Sequence, residues 1–205
     1  MLPRLPGHYL PLWPFATGQQ VRTWEASYRS GGHQPWHLSA QQTALSFTQG
    51  YLGYTEVNRV VRSTVGTVDA RVTVGYPIPE GSRLATAAVI HLVRFGSGRH
   101  APWEVVGTDD TTLSLTIPAY GAHVSTRMTV GGRITGVDEF IRVQVRQLSS
   151  ASPVGVAPGV PAGGQNQPWS TTVSTHGPRG VLTIAAATGG HLAAVERFAI
   201  TGVLR

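Results

Sequence analysis

The spacing of apolar positions changes character along the chain. Residues 1–15 (MLPRLPGHYLPLWPF) show no period, because Pro3, Pro6, Pro11 and Pro14 each remove an amide donor and restrict the preceding residue. An extended, polyproline-like arm is expected there. Leu10, Leu12, Trp13 and Phe15 are too apolar for an idle linker and are expected to pack on the body of the protein. Over 17–30, Val21, Trp24 and Tyr28 fall at helical spacing, and Gly31 and Gly32 supply a stop. Ser39 suits the cap of a second helix, with Gln42 three residues on in a capping-box pattern. Its apolar face is Ala44, Leu45, Phe47 and Leu52, and Gly53 closes it. Strands are predicted over 70–76, 85–95 and 103–107.

From Thr111 the period becomes two. Leu113, Leu115 and Ile117 alternate with polar residues, as do Met128, Val130 and Ile134, and then Ile141, Val143 and Val145. Trp169, Thr171 and Val173 follow, then Leu182, Ile184 and Ala186, then Phe198 and Ile200. Repeated strands with no helical segment predict a β-sandwich of immunoglobulin type. The stretch 149–167, rich in Pro, Gly, Ser and Ala, reads as a long loop between strands. The expected fold is therefore mainly β. It has a Pro-rich arm and short helix over 1–34, a small α+β domain over 35–110, and the immunoglobulin-like sandwich over 111–205.

Composition narrows the function classes. The chain has 205 residues and a net charge of +6, with 16 basic side chains, 10 acidic ones and no Cys. Without Cys, a disulfide scaffold, a Cys-ligated metal and a thiol nucleophile are excluded. The positive balance suggests nucleic acid at first. Yet every basic residue is Arg, no two are adjacent, and no basic run tracks a phosphate backbone. Exclusive use of Arg with abundant Ala, Gly and Val fits a high-GC genome better, so no nucleic-acid partner is expected. No apolar run is long enough to span a membrane. The N-terminus also lacks the charged start and cleavage site of a signal peptide.

Candidate chemistry is sparse. There is no G-x-S-x-G elbow and no H-E-x-x-H or H-x-H pattern among the 8 His. His33 and His37 are separated by Pro35, which prevents the helix that would align them, and a cluster of His37, His91 and His100 is the remaining metal candidate. Asp109–Asp110 reads as a domain boundary, and the stretch from Gly136 to Glu139 reads as a turn. The glycine pairs at 131–132, 163–164 and 189–190 are turn signals, because no helix follows them. Pro-Trp recurs at 35–36, 102–103 and 168–169, a repeated local device; in the last two Pro opens a strand and Trp can turn inward. Two binding candidates stand out. Arg142, Gln144 and Arg146 alternate outward on one strand and Arg197 on another, giving a basic face if the strands are neighbours. Trp36, Phe47, His91 and Trp103 form a candidate pocket in the α+β part.

Over residues 115–204 the strand sequence LTIPAYGAHVSTRMTVGGRITGVDEFIRVQVRQ, then PWSTTVST, GVLTIAAATGG and RFAITGVL, resembles the immunoglobulin-like domain associated with bacterial spore-germination proteins. The likeness lies in the Pro118–x–x–Gly121 turn, the Val130–Gly131 strand, and Glu139 at the start of a long strand. It implies a β-sandwich on an extracytoplasmic or lipid-anchored bacterial protein, with no catalytic or metal residues. WHLSAQQTALSFTQGYLG, AAVIHLVRFGSG and PWEVVGTDD resemble regions preceding this domain in secreted or lipoprotein-like proteins of high-GC Gram-positive bacteria. The helix-then-sheet order there is also similar to half of a cystatin- or nuclear-transport-factor-like fold. The expectation is a non-catalytic extracytoplasmic binding or structural module, partnered by protein or a cell-envelope polymer and needing no cofactor. Any membrane anchor would have preceded residue 1. The alternatives are an accessory subunit of an envelope complex, and a small-ligand carrier or enzyme with a pocket in the N-terminal part.

Overall fold

A computed structural model describes residues 5–78 and 83–205. Strands take 48% of the chain and helices 16%, so the fold is mainly β. Pro3 of the arm lies outside the described residues. Helix α1 spans Gly18–Gly31. Its start is a reciprocal capping box: the Thr17 hydroxyl accepts from the Gln20 amide, and the Gln20 side chain accepts from the Thr17 amide. Gly32 ends it in the left-handed region at φ +67°, where a side chain would be strained. Helix α2 spans Ala40–Ser46, capped by the Ser39 hydroxyl accepting from Gln42 at 3.3 Å. It widens into a π-helical turn over Phe47–Tyr51.

Among the described residues, eight strands make two four-stranded antiparallel sheets. In the first, β1 (Arg59–Val65), β2 (Asp69–Pro77), β3 (Leu84–Arg94) and β4 (Trp103–Asp109) lie in sequence order. In the second, with β5 (Arg127–Arg146), β6 (Gly155–Ser174), β7 (Val181–Thr188) and β8 (Arg197–Leu204), the order is β6-β5-β7-β8. Two expectations fail here. The stretch from Gly136 to Glu139 is not a turn but an irregular part of β5, with register shifts at 134/136 and 136/139. The 149–167 loop is mostly strand β6, which pairs with β5 from Arg127↔Ser174 to Val145↔Gly155. Its Pro and Gly residues sit on a sheet edge, where a missing amide costs little. The segment 111–117, expected as a strand, makes only isolated bridges, Leu113 to Ile134 and Ile117 to Gly131.

The arm packs as its apolar residues predict. Leu10 and Leu12 are each 1% exposed. Trp13 bridges Val105, adding a short antiparallel piece to the free edge of β4. Gly202 of β8 makes room for it, since a Cβ there would lie 2.6 Å from Leu12 and 3.2 Å from Tyr120. One hydrophobic core joins the arm, α2, the first sheet (Val72, Val74, Ile90, Leu92, Val105) and one face of the second sheet (Ala185, Ala187, Phe198, Ile200). A second core fills the other face of the second sheet, around Val130, Ile134, Ile141, Val143 and Trp169. Helix α1 closes the outer face of the first sheet through Val21, Trp24, Val93 and Phe95. No helix among the described residues is long and apolar enough to cross a membrane.

Candidate functional site

The register of the second sheet decides what the outward residues of β5 meet. Arg142 pairs with Ala187, which also pairs with Phe198, so Phe198 and not Arg197 shares a face with Arg142. Gln144 lies level with Ala185, and Arg146 with Thr183. Arg197 therefore projects from the opposite face, and the expected basic surface of Arg142, Gln144, Arg146 and Arg197 does not exist. Nor is the Arg142 face wholly solvated. The π-helical turn and the residues after it roof part of it: the Gln144 side-chain amide donates to the Leu52 carbonyl at 3.0 Å and to the Tyr54 hydroxyl at 3.1 Å. Arg142 stays exposed and donates to the Ala194 carbonyl. Arg146 is 8% exposed.

The expected pocket of Trp36, Phe47, His91 and Trp103 also fails to converge. Phe47 and Trp103 are solid core, 0% and 1% exposed. Trp36 stacks on Trp13, with ring centroids 5.4 Å apart. His91 points from the other face of β3, since its neighbours Ile90 and Leu92 are the ones in the shared core, and it meets Tyr9 edge-on at 4.9 Å. Burial, and then Arg71, lower its pKa. His37 and His100 flank the Trp24–Tyr28 stack. Among the described residues no three His, Cys, Asp or Glu side chains gather as metal ligands would.

A different site emerges where the arm, the π-helical turn and the β5–β6 connection meet. A cavity of about 370 Å³ is lined by Pro11, Leu12, Tyr51, Gln147, Leu148 and Thr183, among others. Tyr51, Leu148 and Ser149 also line a more open cleft of about 580 Å³, whose other walls include Trp13, Pro14 and Arg146. Each piece has a local cause. The wide turn after α2 carries Tyr51 to the wall, the last residue of β5 supplies Arg146, and cross-strand pairing sets Thr183 beside it. The arm is fixed from behind by Glu104, whose Oε2 accepts from the Phe15 amide at 3.2 Å.

The polar groups at this junction are under-satisfied. The Tyr51 hydroxyl, Gln147 Oε1, Arg146 Nε and Glu104 Oε1 are all buried without a hydrogen-bond partner. Native proteins leave few such groups, and each asks for an explanation. The Thr183 and Arg146 side chains are polar neighbours of the Tyr51 hydroxyl and offset its burial in part, but burial dominates and pushes its pKa up to about 12. Burial likewise raises the Glu104 carboxyl well above the usual carboxylate range, against the Phe15 and Trp13 amides that favour its charged form.

Arg146 is the sole buried arginine among the described residues, and no carboxylate there lies within ion-pair distance of it. Nη2 donates to the Ala151 carbonyl at 3.0 Å, and the guanidinium carbon lies 4.8 Å from the Tyr51 ring centroid. A cation–π contact contributes about 0.5–2 kcal/mol. Taking an ion out of water costs several kcal/mol, so this contact leaves the charge under-compensated.

Sequence reasoning selected Arg146 and missed Tyr51, Gln147, Thr183 and Glu104. The available signal was the apolar arm, whose landing place decides which end of β5 becomes a junction. Comparison with models of known families, with curated proteins and with solved structures returns no match in any of the three.

Proposed function

We propose that the protein is a non-catalytic binding module whose ligand seat is the cavity and cleft around Tyr51. The observation that carries this is the coincidence of an apolar cavity of about 370 Å³ with buried polar groups that lack partners. Small-ligand sites combine those two features, an apolar lining and a few convergent polar groups, at volumes of roughly 300–1,000 Å³. The Tyr51 hydroxyl, with its pKa near 12, stays protonated at neutral pH, and the Gln147 amide and Thr183 hydroxyl do not titrate there. Such groups orient a ligand; they do not shuttle protons, which needs a pKa near the working pH. Residues 111–205 are proposed to be an immunoglobulin-like unit on the strength of their resemblance. The same resemblance supports an extracytoplasmic, envelope-associated setting.

The test is calorimetric titration with an uncharged apolar probe, 1-naphthamide, against the wild type, Ser149→Phe and Val181→Phe, both positions lining the cavity. Saturable binding that both substitutions weaken is the expected result. No saturable binding of 1-naphthamide or of its acid, 1-naphthoate, or binding indifferent to both substitutions, would sink the proposal. Ser149 is exposed, so its variant keeps the test valid if Val181→Phe misfolds.

A further inference from the structure

The chemistry of the ligand follows from the charge on the wall of its seat. Among the described residues, buried ionisable groups other than Arg146 are neutralised or paired. Glu104 and His37 have shifted toward their neutral forms, and Glu139 is bridged to Arg197. Arg146 can do neither. A guanidinium does not give up its proton, and no acid among the described residues reaches it. Glu104 is not its missing counter-ion, since one oxygen is held by the arm and the carboxyl is driven toward the neutral form. Beside Arg146 the cleft wall carries Trp13, Tyr51, Pro14 and Leu148, flat or apolar surfaces with no negative charge.

We infer that the cleft takes a small organic carboxylate with a flat apolar body, its anionic head toward Arg146 and its body against Trp13 and Tyr51. This rests on the small-ligand reading of the same seat and deepens it. A carboxylate supplies the charge that the buried guanidinium lacks, through charge-assisted hydrogen bonds that a neutral head cannot match. The apolar body displaces water from the aromatic and proline walls. The Nε proton is shielded from solvent, so the head group engages it only with a small rearrangement of the 147–151 connection.

The experiment is calorimetric titration of the full chain with 1-naphthoate, 1-naphthamide and inorganic phosphate, using the wild type, Arg146→Gln and Arg146→Lys. The expected result is that 1-naphthoate binds the wild type at least about tenfold more tightly than 1-naphthamide. Arg146→Gln should bring 1-naphthoate down to the level of the amide, and Arg146→Lys should restore part of the difference. Equal affinity for acid and amide, or tighter binding of the amide, overturns the inference and leaves the small-ligand seat standing. Competition by inorganic phosphate as strong as by 1-naphthoate overturns the assignment to an organic carboxylate. Failure of both naphthyl probes overturns the seat as well. If Arg146→Gln does not fold, the acid-against-amide comparison on the wild type decides alone.

Discussion

Strand β5 carries buried charge near its middle and at its C-terminal end, and the two places treat it in opposite ways. At residues 135–139, Glu139 is bridged to Arg197 and also accepts from the Thr188 hydroxyl. Arg197 donates in addition to the Thr135 carbonyl at 2.7 Å and to Thr112 at 3.1 Å. Glu139 and Arg197 thus satisfy each other, and their cluster ties β5, β7 and β8 together. At residues 146–147, Arg146 has one carbonyl and one aromatic face, and Gln147 spends its amide on the Pro178 carbonyl while its own oxygen stays bare. The first place is a finished structural joint. The second resembles a site from which something is missing. A satisfied network stiffens a fold, whereas a half-satisfied one costs stability and persists where function requires it.

The strongest way to break this contrast is to open the finished joint. Glu139→Gln should cost about 3–5 kcal/mol, because it strands a largely buried guanidinium. Urea denaturation reads this directly, and the double variant Glu139→Leu/Arg197→Met should recover most of the loss. A cost below about 1 kcal/mol would mean that the joint is no better settled than the C-terminal end of the strand.

His37 shows a third treatment of buried charge, which is to shed it. Packed among Phe15, Trp24 and Trp36, it has its pKa lowered to about 4 by burial and then by His33. Between about pH 6.5 and 4 the folded protein binds fewer protons than the unfolded chain. This contribution to stability is therefore complete above pH 6.5 and is lost on acidification toward 4, on the order of 3 kcal/mol in all. Denaturation at a series of pH values should show that loss in the wild type and not in His37→Gln. Parallel profiles for the two proteins would show that His37 ionises freely in the fold.

Arg146→Met sharpens the contrast from the other side. Replacing an uncompensated buried cation by an apolar chain of similar length should leave stability unchanged or raise it by up to about 2 kcal/mol. The sign is opposite to that expected for Glu139→Gln. A loss above about 1 kcal/mol would show that the Ala151 carbonyl and the Tyr51 ring already satisfy the guanidinium.

How much of this was legible in the sequence depends on range. The helical spacing of Val21, Trp24 and Tyr28 with its glycine stop, the Ser39 cap and the alternating runs of β2, β3 and β7 are local signals, and they appear at the expected places. Strand β1 buries almost nothing, so it left no period to read. In β6 the Pro and Gly residues masked an edge strand whose existence depends on β5 lying beside it. The face of Arg197 was misjudged because alternation fixes faces within a strand, whereas only register fixes them between strands. Arg146 was visible as a polar residue on β5. Its burial was not, since the roof over that face comes from a π-helical turn some ninety positions away in sequence.

The smallest effect concerns the hydroxyl at the centre of the open end. Tyr51 is 8% exposed, and its ring is held by Phe47, Trp13 and Arg146, whereas its hydroxyl makes no well-formed hydrogen bond and has only the Thr183 and Arg146 side chains as polar neighbours. In Tyr51→Phe the ring contacts stay, and only a desolvated, unpaired group is removed. Stability should change by less than about 1 kcal/mol, toward a gain, because a buried hydroxyl without a hydrogen bond is a cost and not a contribution. Binding of 1-naphthamide should weaken in the same variant, since that hydroxyl is one of the few polar groups able to orient a ligand there. A loss of stability with unchanged binding would reverse the assignment. The hydroxyl would then be part of a finished network with Thr183, and the open end of β5 would be as closed as the joint at Glu139.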